Sequence, residues 1–188
     1  IETSLTRDHT QRLLQSLGAD INIIEKKGKR ITRIKGLKEM HRFSINVPAD
    51  PSSACFFVVQ TLLARNSSLL IKNVCISKSR IGFIKILKIM GGKIKILRKR
   101  KYFGEEVGDL FVKSSKLKGI NCPASFVVSA IDDLPAIWLA SGLAKGKSYF
   151  KGISELRYKE SDRIKTMSQS LNNMGIKTKT TKDSIEIY

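Results

Sequence analysis

Long apolar runs, paired cysteines and aromatic residues are all scarce in this chain of 188 residues. The longest apolar runs, such as residues 55–59, are far shorter than the ~20 residues that a membrane-spanning helix needs, so no membrane association is expected. The cysteines Cys55, Cys75 and Cys122 form no CxxC pair, which predicts neither a disulfide framework nor a zinc site. Cys55 and Cys75 lie in apolar runs and are expected to be core thiols of a reduced, cytoplasmic protein.

Acidic residues are also few, since 16 Asp and Glu stand against 35 Lys and Arg and leave a formal net charge of +19. Such a charge is compatible with nucleic-acid binding. However, the basic residues are spread along the chain, with one tight cluster at 98–101, and no stretch alternates them with aromatic residues as a stacking platform does. We therefore interpret most of the charge as solvated surface. Attraction of small anions and an RNA-binding module are the alternatives.

One pattern of residues occurs three times along the chain. Each copy has an arginine, a predicted helix of about ten residues that stops at a glycine, and an alternating stretch typical of a half-buried strand. The arginines are Arg7, Arg80 and Arg163, and the corresponding glycines are Gly18, Gly91 and Gly175. A repeat of this kind predicts a domain built from equivalent units rather than a solenoid.

A second shared block precedes the last two copies. An Asp shortly before a Pro opens an apolar helix in each, over 54–63 and 136–144, with Asp50 and Asp132 as the predicted N-caps. The strands expected after these helices and at the ends of the units cover 68–71, 109–112, 148–150 and 184–187. The predicted unit is β-α-β-α-β-β, and the fold class is α/β (α+β) with helices gathered on one side of the sheets. Such a stack directs helix N termini towards one place, where they favour anions.

The densest charged stretch is 155–163, with six charged residues among nine. It lies between a predicted strand and a predicted helix, so Lys159, Arg163 and the helix N terminus are candidates for binding a phosphate or a carboxylate. Glu160 is a candidate proton carrier. A solvated cluster of ion pairs is the alternative. The equivalent stretch of the middle copy, 75–80, keeps Lys and Arg but has no acid, which favours a function for the acids.

Two further residues are candidates for the same site. Asp132 is the first, with helix capping as the alternative, because Asp50 occupies the equivalent position. Arg7 is the second, with a structural role shared by all three copies as the alternative. His9 is interpreted as structural, facing a neighbouring strand.

Familiar cofactor and nucleophile motifs do not occur in the sequence: GxxxxGK(S/T), GxGxxG, HExxH and GxSxG are all missing. No histidine lies near a cysteine in metal-ligand spacing. We therefore expect no metal and no cofactor. The interpretation that remains is an enzyme that acts on small anions through Lys, Arg, Asp and Glu side chains.

Four segments, in order along the chain, resemble the EPSP synthase (3-phosphoshikimate 1-carboxyvinyltransferase) family. They are TRDHT at 6–10, VPADPSSA at 47–54, IDDLP at 131–135 and ELRYKESDR at 155–163. The last is the most specific, because the related UDP-N-acetylglucosamine enolpyruvyl transferases share the fold but lack its KESDR part. The resemblance implies the enolpyruvyl transferase fold, in which each of two domains holds three β-α-β-α-β-β units. It implies that 1–46 close the first domain and that 47–188 form most of the second, as two repeat units, so an internal fragment is expected.

The resemblance also implies a reaction. The enolpyruvyl group of phosphoenolpyruvate is transferred to the 5-hydroxyl of shikimate 3-phosphate and phosphate is released, a step of the shikimate pathway towards chorismate and the aromatic amino acids. Asp132 would bind the ring hydroxyls and take the proton of the 5-hydroxyl, and Glu160 would exchange protons with the methylene carbon of phosphoenolpyruvate. Lys159 and Arg163 would bind phosphoenolpyruvate, and Arg7 the shikimate phosphate. The complete protein is expected to be a monomer, and this chain alone to be inactive, because other functional segments of the family lie outside it.

Overall fold

The computed structural model describes residues 7–36 and 42–188, so Thr6 of the first motif lies outside the described residues. The helices are α1 (His9–Ser16), α2 (Pro51–Leu63), α3 (Gly82–Ile89), α4 (Ala124–Val127), α5 (Leu134–Gly142) and α6 (Arg163–Asn173). The strands are β1 (Ile21–Lys26), β2 (Lys29–Ile34), β3 (Ser68–Cys75), β4 (Lys93–Tyr102), β5 (Glu105–Lys113), β6 (Ser148–Lys151), β7 (Thr178–Thr180) and β8 (Ser184–Ile187). Short 3-10 helices cover Val128–Ala130 and Ser154–Tyr158.

The strands form two equivalent sheets and one hairpin. The three-stranded sheets have the orders β3-β5-β4 and β6-β8-β7, so corresponding strands occupy corresponding places, and all their pairs are antiparallel. The first strand of each unit is reduced to one isolated parallel β-bridge. These bridges join Ala49 to Val74 and Asn121 to Tyr149. The predicted β-α-β-α-β-β unit is therefore present twice. The hairpin β1-β2 follows α1 in the same way that β4 and β5 follow α3 and that β7 and β8 follow α6.

Helix α5 lies in the interior, and the equivalent helix α2 buries one face against the core. Apolar residues occupy nearly all faces of α5, which is the pattern of a buried helix, and Trp138 is fully buried against Phe150 of β6. Helices α3 and α6 are apolar on one side, where Phe83 and Leu171 are fully buried. One continuous cluster of buried side chains joins both units. Each large apolar side chain buried there contributes about 1.5–3 kcal/mol to folding, so the units stabilise each other.

Strand β4 is longer than the predicted stretch and includes the basic cluster at 98–101. The register shifts between Leu97 and Arg100, and Arg98 has a positive φ of 48° within this bulge. Arg98 Nε donates to Asp109 Oδ2 at 2.6 Å, and Arg100 donates to Asn73 Oδ1 at 2.6 Å. Two of the cations in this cluster are therefore bound by their own sheet, and not only by solvent as expected.

Helix α1 and Asn46, which precede the middle unit, contact the turn between β4 and β5. Helix α1 reaches this turn through Arg12, whose guanidinium donates to Gly104 O at 3.3 Å, and Tyr102 accepts from the backbone N–H of Asn46 at 3.1 Å. The division between residues 46 and 47 stays a prediction. Among the helices of the described residues, none has the length and apolarity needed to cross a membrane.

Candidate active site

The N termini of α1, α2, α3 and α5 meet around one pocket of about 270 Å³. Its lining includes Ser52 from the first turn of α2, Arg80 just before α3 and Asp133 at the start of α5. Arg7, just before α1, also lines it. Exposed N–H groups and the helix dipoles make such a meeting point favourable for anions, as the repeat predicted.

Asp132 is the centre of this site, and three cationic side chains surround its carboxylate. Its Oδ2 contacts Arg7 Nη2, while its Oδ1 lies 3.5 Å from Arg163 Nη1 and 3.9 Å from Lys159 Nζ. Lys159 and Arg163 come from the 155–163 stretch, and Arg7 comes from the opposite end of the chain. The structure thus brings together residues that the sequence separates by up to 156 positions (from 7 to 163).

The predicted capping role of Asp132 is wrong. The residue at the N-cap of α5 is Asp133, and even its side chain accepts no capping hydrogen bond within the described residues. Asp50, in the equivalent unit, does cap α2 by accepting from the N–H groups of Ser52 and Ser53 at 3.3 and 2.9 Å. The extra acid in the third unit shifts the helix start by one residue, so the Asp132 carboxylate is free to bind cations.

A parallel between the two units supports this interpretation. Arg80 Nη2 lies 3.0 Å from Asp50 Oδ1, as Arg163 lies near Asp132. The ion pair of the middle unit is a structural contact, because Asp50 is already occupied as a helix cap. The third unit keeps the equivalent pair of Arg163 and Asp132, and Lys159 also approaches the Asp132 carboxylate, which caps no helix.

Glu160 lies at the edge of the site and is directed to solvent. Its side chain is 82% exposed, and Arg163 Nη2 donates to its Oε2 at 2.8 Å. Its own backbone N–H and the Arg163 guanidinium hold the pKa of the Glu160 carboxyl below its usual value. Glu160 does not line the pocket, and Arg163 connects it to Asp132 by contacting both carboxylates.

Two other charged residues of the 155–163 stretch hold the loop in place. Arg157 donates to Lys182 O at 2.8 Å, to Thr181 O and to Asp162 Oδ2 at 2.6 Å, which fixes the loop against the β7–β8 turn. Asp162 caps α6 by accepting from Lys165 N at 2.9 Å. This hydrogen bond and Arg157 hold the pKa of Asp162 low. The charged stretch therefore combines a structural part with a part that faces the site.

Several polar residues of the pocket were not predicted as site residues. Ser79 and Ser129 line it, and Arg80 donates to Ser52 Oγ at 2.9 Å. The equivalence of Arg80 to Arg163 in the repeat could have indicated Arg80, whereas Ser129 lies in a short 3-10 helix that no sequence pattern marks.

Asp133, which the IDDLP motif contains, is almost fully buried beneath the pocket, at 3% exposure. Its Oδ1 has no hydrogen-bond partner among the residues that the structure describes. Burial raises the pKa of this carboxyl to about 6, although Ser52 and Arg80 favour its ionised form.

The geometry therefore offers three chemical functions in one place. Arg7, Lys159 and Arg163 are donors for phosphate or carboxylate oxygens. Asp132 is a carboxylate able to accept a proton from a bound hydroxyl. Glu160 is a second carboxyl within reach of the same arginine.

A family model described as EPSP synthase (3-phosphoshikimate 1-carboxyvinyltransferase) matches residues 1–188. The chain belongs to the EPSP synthase family. A 3-phosphoshikimate 1-carboxyvinyltransferase of Zymomonas mobilis is 43% identical over 187 residues, covering 100% of this chain and 41% of the relative. One from Bartonella quintana is 41% identical over 189 residues, covering 100% of this chain and 43% of the relative. This member of the family thus spans about two fifths of the length of the curated relatives it matches.

Solved structures agree with this assignment. An EPSP synthase from Acinetobacter baumannii has a TM-score of 0.90 and 38% identity, covering 99% of this chain and 41% of that one. The enolpyruvyl transferase NikO from Streptomyces tendae has a TM-score of 0.63 at 16% identity, covering 93% of this chain and 38% of that one. The second comparison shows that this EPSP synthase family member shares its fold with another enolpyruvyl transferase.

Proposed function

We propose that the protein containing this chain is a 3-phosphoshikimate 1-carboxyvinyltransferase, which converts shikimate 3-phosphate and phosphoenolpyruvate into 5-enolpyruvylshikimate 3-phosphate and phosphate. The observation that carries the proposal is the convergence of Arg7, Lys159 and Arg163 on the carboxylate of Asp132, which caps no helix. Both substrates are polyanions with a phosphate and a carboxylate, and guanidinium and ammonium groups at helix N termini bind such groups. Membership of the EPSP synthase family supports the same reaction.

Asp132 and Glu160 are the proposed proton carriers. Asp132 takes the proton of the 5-hydroxyl while that oxygen forms a bond to the central carbon of phosphoenolpyruvate, and Glu160 gives a proton to the methylene carbon. The tetrahedral intermediate then loses phosphate by cleavage of the carbon–oxygen bond, and the new methyl group returns its proton to Glu160. Atoms and charge balance when the proton held by Asp132 leaves with phosphate.

The cations divide between the two substrates. Lys159 and Arg163 bind phosphoenolpyruvate, where they also stabilise the charge of the departing phosphate. Arg7 binds the phosphate of shikimate 3-phosphate from the other side of Asp132. The chemistry is acid–base and electrostatic throughout and needs no cofactor.

The remaining expectations belong to the complete protein, which we propose to be a cytoplasmic monomer of the shikimate pathway. The three cysteines are buried and unpaired in the described part of the chain, which agrees with a reducing compartment. The RNA-binding alternative finds no support within residues 7–36 and 42–188, because Arg98 and Arg100 of the basic cluster bind their own sheet.

The test is an assay of the full-length protein with both substrates, following phosphate release. We expect Asp132→Asn and Glu160→Gln each to lower kcat by about 10²–10⁴-fold, the range for general acid–base groups. Glu186→Gln is the matched control. Glu186 lies on β8, outside the site, and its Oε1 is 2.9 Å from Lys147 Nζ. Wild-type protein without phosphate release, or an Asp132→Asn variant as active as Glu186→Gln, would refute the proposal.

A further inference from the structure

A second group of reactive side chains lies outside the anion site, where helix α1 meets the middle unit. His9 Nδ1 is 2.7 Å from Glu105 Oε1, and Cys75 Sγ is 3.8 Å from Glu105 Oε2. The three side chains present their donor atoms within 4.8 Å of one another. His9 comes from α1, Cys75 ends β3 and Glu105 begins β5, so the fold assembles a group that sequence spacing does not reveal.

We propose that His9, Cys75 and Glu105 form a binding site for a thiophilic divalent cation of the zinc class. An imidazole nitrogen, a thiolate sulfur and a carboxylate oxygen are the donors that zinc takes most readily. A neutral imidazole with a thiolate and a carboxylate carries a charge of minus two, which matches a divalent ion. The thiol proton of Cys75 passes to solvent when the metal binds, because a coordinating thiol is deprotonated.

The observed separations are close to those that a tetrahedral ion requires. Zinc bonds of about 2.0–2.3 Å place neighbouring donor atoms roughly 3.3–3.6 Å apart. The sulfur–oxygen distance of 3.8 Å is already near this range. The hydrogen bond between His9 and Glu105 at 2.7 Å has to lengthen, by rotation of the Glu105 side chain onto the ion. The His9 and Cys75 donor atoms lie within 4.8 Å of each other, so small side-chain rotations bring them onto the same ion.

The surroundings leave a place for a fourth ligand. The Cys75 residue is 6% exposed and the Glu105 side chain 12%, whereas the His9 ring is 39% exposed. All three line a largely apolar pocket of about 390 Å³, from which a water molecule can complete the coordination. Arg80 and Asp50 also line this pocket, and their mutual ion pair limits the repulsion that Arg80 exerts on a cation.

A bound ion would join α1 to β3 and β5. His9 follows Arg7 by two positions, so the ion would also restrain the arginine that contacts Asp132. The site itself is independent of the proposed transferase reaction, since none of its ligands lines the pocket around Asp132.

The experiment uses the full-length protein after dialysis against a chelator, titrated with Zn²⁺ by calorimetry. We expect Cys75→Ser to weaken the strongest Zn²⁺ binding about tenfold or more, whereas Cys122→Ser, which replaces another buried thiol, should bind as the wild type does. Co²⁺ in place of Zn²⁺ should give the visible absorption of a tetrahedral ion and a thiolate-to-cobalt charge-transfer band, and Cys75→Ser should lose that band.

Wild-type protein that binds no Zn²⁺, or binds it equally well after Cys75→Ser, would overturn the proposal. Thermal unfolding of each variant shows whether it is folded. If Cys75→Ser does not fold, His9→Gln answers the same question, because loss of an imidazole ligand should weaken Zn²⁺ binding and change the cobalt spectrum while the thiolate band persists. An unchanged cobalt spectrum in His9→Gln would also refute the site.

Discussion

Two adjacent aspartates at the start of α5 have opposite surroundings. Asp132 is partly exposed and is approached by Lys159 and Arg163. Asp133 is 3% exposed, and burial raises the pKa of its carboxyl to about 6. Both residues line the pocket, but a one-residue step along the helical start leaves the Asp132 carboxylate among the cations and buries that of Asp133 at its base. The sequence pattern contains both acids, but only the three-dimensional packing distinguishes the group that can bind substrate from the group beneath it.

We expect Asp133→Asn to remove a pH dependence of stability between about pH 4 and pH 6. The pKa of an aspartate carboxyl is 3.8 in an unfolded chain, and that of Asp133 is about 6 in the folded protein. The folded state therefore keeps an extra proton in this window, so the contribution of this group to the free energy of unfolding falls as the pH rises, until about pH 6. From pH 4.5 to pH 7, the Asn variant should gain about 2 kcal/mol relative to wild type, measured by urea unfolding. Equal pH dependence in the two proteins would contradict this account.

The repeat was predictable at the level of elements because its signals are local. Gly91 and Gly175 have positive φ values of 98° and 83°, as expected for residues that stop a helix. The strand order of the two sheets and the packing that joins them depend on contacts distant in sequence, and these could not be predicted from local patterns. The same reason explains the error at Asp132, because the residue before α5 is Asp133, which is buried and whose side chain caps no N–H group in the described part of the chain.

The contact between the two units depends on a glycine at the start of α3. A Cβ atom at Gly82 would lie 2.7 Å from the carbonyl carbon of Ser129 and 2.8 Å from the backbone nitrogen of Ala130. These backbone atoms cannot yield as a flexible side chain does. We expect Gly82→Ala to lower the free energy of unfolding by about 1–3 kcal/mol and to displace the segment that leads to Asp132.

The matched control is Gly36→Ala, since a Cβ atom there would have no neighbour within 4 Å among the described residues. Urea unfolding of both variants measures the difference. A Gly82→Ala protein as stable as Gly36→Ala would show that the two units are not in the close contact described.

Helix α2 offers a direct test of capping. Asp50 accepts from the N–H groups of Ser52 and Ser53 and caps this helix. Asp50→Ala should cost about 1 kcal/mol of stability, whereas Asp50→Asn should cost little of the capping energy, because asparagine caps equally well. Thermal unfolding separates the two variants. A loss in Asp50→Asn as large as in Asp50→Ala would assign the effect to the ion pair with Arg80 instead.

At the scale of the whole molecule, the site is open and its groups are held from several sides. Arg7 reaches Asp132 from the segment before the two units, although its side chain is 57% exposed. Helix α2 packs on one face against the core and exposes Phe56 and Phe57, at 60% and 58%, on the other. Neighbouring exposed aromatic residues of this kind are typical of a surface that another part of a protein covers.

These features lead to a prediction about the isolated chain. We expect the 188 residues alone to release no phosphate from shikimate 3-phosphate and phosphoenolpyruvate at an enzyme-like rate, whereas the full-length protein does. The physical reason is that catalysis needs both anions held in line and away from water. The pocket around Asp132 is open, and the chain spans only about two fifths of the length of its curated relatives. Circular dichroism and a cooperative unfolding transition establish that the isolated chain is folded before it is assayed. Enzyme-like phosphate release by that folded chain would mean that the residues around Asp132 complete the active site by themselves.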